Sequence, residues 1–138
     1  MPTSARSPLT DLASLGLLAW AVLLGYVSIP WMLSRGLLWD GGISLLGAAL
    51  AALHLVAAIG VTRRAGWARR LGLWMAGVGL FGSGVVLVTI APGALSDDAA
   101  ATFGGSPLQL IAVPAGMVLV YGLILVILLR ARDEFSQG

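Results

Sequence analysis

Between Gly42 and Ile90 the chain carries two apolar runs joined by the nine residues TRRAGWARR, and the only ionisable side chain inside either run is His54. Four of the protein's eight arginines (Arg63, Arg64, Arg69 and Arg70) are confined to that short connection. A domain folded in water covers itself with polar groups, so this pattern makes physical sense only where lipid is the solvent. Composition agrees: 59% of the 138 residues are hydrophobic and 10% charged, against about half and about a quarter in globular domains. The mean hydropathy is +0.98.

Four such runs are present, at residues 12–33, 42–61, 71–90 and 108–129. Each is long enough, at about 1.5 Å per residue, to cross a hydrocarbon core of about 30 Å. In lipid every backbone N–H and C=O has to be satisfied within the segment, which makes the runs helices. Alternation with period two is absent, so a small β-barrel is not expected. A cleaved signal peptide has an apolar stretch of about 7 to 15 residues followed by a small-residue cleavage site. The first run is longer and is followed by PWMLSRGLLWDGG, so it is expected to be retained. Pro30 removes one backbone donor and predicts a kink where the Tyr26 carbonyl loses its partner. The predicted fold is therefore all-α: one integral membrane domain over residues 1–138, an up-down four-helix bundle. Short connections make helices one and two, and two and three, antiparallel neighbours. The segment APGALSDDAAATFGGSP between the last two runs is expected to be a loop.

Charge predicts the orientation. With four spans, Arg6, Arg63, Arg64, Arg69, Arg70, Arg130 and Arg132 fall on one side and only Arg35 on the other. Basic residues stay in the cytoplasm, so both termini are expected there. Trp31 and Trp39 then mark the outer interface and Trp67 and Trp74 the inner one. The basic residues are few and sit at helix ends, so nucleic acid is not an expected partner; the anionic headgroups of the bilayer are. The arginine connection can attract them at about 1 kcal/mol per charge, although as a determinant of topology it needs no ligand. The chain has no cysteine, and with it no disulfide framework or thiolate site.

Candidates for chemistry are sparse. An ionisable residue inside a membrane is by default a functional hypothesis, because its burial is costly without a partner. Counting depth from the inner ends brings His54 level with Ala19 and Trp20, with Val78, and with Tyr121 and Gly122. A hydrogen bond from His54 to the Tyr121 hydroxyl is thus within reach, with Trp20 the second choice. Such a pair can simply pin helices; the alternatives are proton relay and metal ligation. One histidine with no cysteine and no intramembrane carboxylate makes a poor metal site, and no second axial ligand for haem is offered. No metal or cofactor is expected. Gly72, Ala76, Gly79 and Ser83 recur at i, i+4, i+7 and i+11 on one face of the third span, with Gly77, Gly82 and Gly84 widening it. Ala112 and Gly116 stand four apart in the fourth. Small residues let helices approach closely, either within one bundle or against a second copy or another subunit. The chain lacks a P-loop, HExxH, a nucleophile elbow and paired carboxylates, so an enzyme is not expected. Small four-span multidrug exporters carry a carboxylate within the first helix, where here Asp11 only borders it.

From His54 onward the chain resembles the uncharacterised four-span family that includes mammalian transmembrane protein 256 and bacterial relatives described as domains of unknown function. The pieces that carry the resemblance are LHLVAAIG around His54, GVGLFGSG around Phe81 and Ser83, and VPAG around Pro114 and Gly116. It covers about the last 85 residues. The first span departs, with GYVSIPWML in place of the family's glycine- and histidine-containing motif. Met117 follows Gly116 where the family tends to have a second glycine. The resemblance implies a four-helix bundle of a bacterial cytoplasmic membrane and no assigned activity, and it draws attention to His54, Ser83 and Pro114.

Together these readings favour a non-enzymatic protein with a packing, assembly or accessory-subunit role, acting with itself or within a larger membrane complex. The alternative is a small transporter or permeability factor, with His54 and Tyr121 lining a polar pocket and Pro114 bending the fourth helix to open it. Reporter tags test the topology. Tags at both termini should read out on the cytoplasmic face, and a tag between Ala91 and Pro107 on the opposite face.

Overall fold

A computed structural model describes residues 8–35, 41–94 and 107–135 of the chain. Among them the protein is all-helical, with α1 at Pro8–Arg35, α2 at Gly41–Thr62, α3 at Gly66–Ala94 and α4 at Pro107–Arg130, followed by a short 3-10 turn at Arg132–Phe135. All four α-helices are long and apolar enough to cross a membrane. The side chains of Trp31 and Arg35, the whole of Trp39, and residues 95–106 of the loop expected at 91–107 lie outside the described residues; 91–94 and 107 of that loop are helical.

The helices outrun the apolar stretches that announce them. α1 runs from Pro8, where proline suits a first turn, through Pro30 to Arg35. α3 passes through Pro92 and ends at Ala94. The largest difference is at the arginine connection, which shrinks to Arg63–Ala65 because Gly66–Arg70 already form the first turn of α3. Ala68, Arg69 and Arg70 are good helix formers, and charge alone does not stop a helix whose end lies at the headgroups. α2 is closed by a Schellman cap: the Ala65 N–H donates to the Gly60 carbonyl at 3.0 Å and the Arg64 N–H to the Val61 carbonyl at 2.9 Å. Arg64 takes the left-handed conformation this needs, with φ 56°. The Ala65 carbonyl then accepts from the Ala68 N–H at 2.9 Å and starts α3.

α1 packs chiefly on α2 and α3 chiefly on α4, while the α2–α3 and α1–α4 seams are thinner. The buried core occupies the half of the bundle nearer the arginine connection. There Ala13 and Leu17 meet Ala57, Ala58 and Val61 across the first pair. Ala68, Ala76, Ile124 and Leu128 of the second pair belong to the same buried cluster. Alanines bring backbones together where lipid supplies no hydrophobic drive between helices. Polar bonds add to this at the arginine-bearing end. Ser14 Oγ and Thr62 Oγ1 lie 2.8 Å apart and both reach the Ala58 carbonyl, at 2.9 and 2.8 Å. Thr10 Oγ1 donates to Glu134 Oε2 at 2.8 Å, tying the start of α1 to the 3-10 turn. Large apolar side chains elsewhere face outward, Trp74 at 74% and Phe81 at 75% exposure among them. In water such a surface aggregates; in a bilayer it is the solvated one.

α2 and α3 approach closely at Gly60, where an added Cβ falls 2.4 Å from the Ala68 Cβ and 2.8 Å from the Trp67 ring. At Gly77 it meets nothing within 4 Å. Gly60→Ala should therefore lower thermal stability in detergent by about 1–3 kcal/mol. Gly77→Ala should be neutral or stabilising by up to about 1 kcal/mol. Comparing melting midpoints of the two variants with the parent checks both.

Candidate functional site

The polar centre of the bundle is a layer of three side chains from three helices. His54 comes from α2, Tyr121 from α4 and Trp20 from α1, and all three are buried. His54 Nδ1 lies 2.8 Å from the Leu50 carbonyl, one turn back on its own helix. A carbonyl oxygen only accepts, so Nδ1 carries a proton. His54 Nε2 lies 3.1 Å from the Tyr121 hydroxyl and accepts its proton in the neutral imidazole. Both ring nitrogens are thereby engaged inside the protein. The contact is the one that depth counting puts within reach.

Trp20, the second choice for that bond, plays another part. It does not bond to His54; its ring stacks on Tyr121, with centroids 5.1 Å apart and planes within 3° of parallel. The His54 ring leans on the same tyrosine at 6.0 Å. Among the described residues Trp20 Nε1 is the buried side-chain polar atom with no hydrogen-bond partner. Stacking over this area offsets that lost bond, an aromatic pair contributing about 0.5–1.5 kcal/mol beyond its burial.

α3 supplies the fourth wall through absence of bulk. A Cβ built on Gly79 falls 2.5 Å from the Tyr121 ring, so only glycine lets that ring lie flat on the helix. Gly72 is filled in the same way by Leu128, at 2.8 Å from an added Cβ. Ala76 and Ser83 are also buried, so the four-residue stripe faces into the bundle. Ser83 Oγ donates to the Gly79 carbonyl at 2.6 Å. The wider set behaves otherwise: added Cβ atoms at Gly77, Gly82, Gly84 and Gly116 meet nothing within 4 Å, and Ala112 is exposed. Those small residues do not extend the internal contact face. A helix wheel separates them only when the partner helix is known.

Beside this layer, mostly on the side away from the arginine connection, lies a cavity of about 420 Å³. His54, Tyr121 and Ser83 line it, with Leu24, Leu50, Val86, Pro114 and Met117 among its apolar walls. Its side toward α2 and α3 is formed by Leu53, Trp74 and Val78, each of them exposed, so it opens through the thin α2–α3 seam into the lipid region. Pro114 is buried in that wall, within a helix that continues through it.

The arginines of the connection divide. Arg69 Nε donates to the Leu128 carbonyl at 2.8 Å and its Nη2 reaches the Leu129 carbonyl at 3.4 Å, which caps the C-terminal end of α4. Arg64 Nη2 lies 3.7 Å from Glu134 Oε2. Arg63 and Arg70 are exposed at the same end. The cap was not foreseen, although an arginine level with the last turn of a neighbouring helix is the signal for it. Among the described residues no three His, Cys, Asp or Glu side chains gather where a metal ion could be held. The chain matches no family model, no curated protein and no solved structure.

Tyr121→Phe keeps the stack on Trp20 and strands His54 Nε2 in the core. It should cost about 1–3 kcal/mol of stability, the penalty of an unpaired buried polar atom. His54→Ala together with Tyr121→Phe should cost less than the sum of the two single changes. A double-mutant cycle on thermal or denaturant unfolding in detergent measures the difference.

Proposed function

We propose that this multi-pass membrane protein is a non-enzymatic packing or accessory subunit, set in a bacterial cytoplasmic membrane with both termini inside. The observation that carries this reading is the state of His54. The intramembrane histidine is held by Leu50 on one nitrogen and Tyr121 on the other, and among the described residues no carboxylate bonds to it to exchange protons. A relay needs a group that can take up and hand on a proton along a wet path; a saturated hydrogen-bond clamp holds helices in register instead.

Orientation follows from the basic residues. Arg63, Arg64, Arg69, Arg70, Arg130 and Arg132 gather at the end of the bundle where Thr10 meets Glu134, and basic ends remain cytoplasmic. Exposed Arg63 and Arg70 are suited to anionic headgroups at that face. The resemblance to the transmembrane protein 256 family, through LHLVAAIG, GVGLFGSG and VPAG, accords with a small bundle without catalytic parts. The smooth outer faces at Gly77, Gly84, Ala112 and Gly116 leave room for a second copy or a larger complex to approach closely.

A role in permeability or transport is the second reading, favoured by the cavity beside His54 and Tyr121. Its walls are apolar and its opening faces lipid, so ions and water are poor cargo. Reconstitution into liposomes loaded with a pH-sensitive dye separates the two readings. The accessory reading expects proton and cation fluxes equal to those of protein-free vesicles, and a His54→Ala variant that melts earlier without any change in flux. A flux that depends on His54 overturns it.

A further inference from the structure

We propose that the cavity beside the Tyr121 layer is a binding site for a lipid-soluble alcohol: a molecule with an apolar body and a hydroxyl group that donates a hydrogen bond to the protein. This goes beyond the accessory role and does not depend on it.

Selectivity follows from where the protons of the cavity are. Four lining side chains carry polar protons: Trp74, whose indole belongs to the exposed rim, and the buried His54, Tyr121 and Ser83, whose protons are each already directed at the protein. His54 Nδ1–H is given to Leu50, the Tyr121 hydroxyl to His54, and the Ser83 hydroxyl to the Gly79 carbonyl. A hydroxyl has one proton and two acceptor lone pairs. Tyr121 Oη and Ser83 Oγ therefore present unused acceptor capacity among the buried groups of the cavity, and none of those groups has a donor left over. Against them a ligand carbonyl or ether brings a second acceptor to acceptors and gains nothing. Donation of one proton by a ligand hydroxyl to Tyr121 or Ser83 leaves the internal network as it is.

The rest of the cavity defines the remainder of the molecule. Its volume, about 420 Å³, lies in the range of about 300–1,000 Å³ seen for small-molecule sites, which join apolar walls to a few placed polar groups. Leu24 and Leu50 on one side, and Val86 and Met117 on the other, call for hydrocarbon. Access is lateral, through the seam between α2 and α3 where Leu53, Trp74 and Val78 face the bilayer. The ligand thus arrives from the lipid phase, where water-soluble alcohols are scarce and long-chain or polycyclic ones concentrate.

Photolabelling of the full-length protein in phosphatidylcholine nanodiscs tests this. The probes are hexadecanol bearing a diazirine in its chain and the methyl ether of the same molecule, which has the same tail and no donor. The alcohol should label α2 and α3 peptides around Leu53, Trp74 and Val78 saturably. The ether should label them at least about threefold more weakly, the effect of losing one hydrogen bond. Gly82 lines the cavity and an added Cβ there meets nothing within 4 Å, so Gly82→Leu should fill the site, abolish saturable labelling and leave the melting midpoint unchanged. Equal labelling by alcohol and ether overturns the proposal, since the cavity then takes any acyl chain. Labelling that is absent, lies elsewhere, or persists in a folded Gly82→Leu variant overturns it as well. The alcohol-to-ether comparison on the unsubstituted protein decides the matter even if the variant fails to fold.

Discussion

Tyr121 holds the bundle together across its middle. Its hydroxyl is given to His54 of α2, its ring lies on Trp20 of α1, and its other face rests on the bare backbone of α3 at Gly79. One side chain of α4 thereby touches every other helix. In lipid no hydrophobic effect drives helices together, so association depends on close packing and on polar groups finding each other. The layer does both. It fixes the rotation of α2 and α4 through a directional bond and the depth of α3 through a position where only glycine fits.

That layer divides the molecule into two unlike halves. Toward the arginines the interior is closed, with alanines, Leu17 and Leu128 packed at full burial and the ends tied by Thr10, Glu134 and the Arg69 cap. Toward the opposite end the helices leave a cavity lined by larger aliphatic residues. Local composition explains the asymmetry. Small residues at Ala57, Ala58, Ala68 and Ala76 let backbones meet, whereas Pro114 and the bulk of Leu24, Leu50 and Val86 keep them apart. The close packing lies in the half nearer the arginine connection, and the cavity mostly in the other.

Much of this can be read from the chain alone, because lipid imposes a rule with few solutions. Runs at 12–33, 42–61, 71–90 and 108–129 had to be helices once water was excluded, and four of them, the first three joined by short connections, form an up-down bundle. Even the His54–Tyr121 contact was within reach, since residues that span the same slab can be aligned by depth. What depth cannot supply is azimuth. Trp20 lies at the right height to bond with His54, yet its ring turns to stack on Tyr121 and leaves its N–H without a partner. Gly77, Gly82 and Gly116 look like contact positions by spacing, yet they open onto empty space.

The sequence by itself determined that the protein is helical, that it belongs in a bilayer, and where each helix crosses. It did so because an unsatisfied backbone amide in hydrocarbon costs several times more than any side-chain preference returns. Only the tertiary structure decided which glycine seats Tyr121, which arginine caps α4, and that a cavity opens between α2 and α3. Those outcomes depend on the rotation of each helix about its own axis. Rotation is set by the summed contacts of four surfaces at once, a quantity that no single apolar stretch contains.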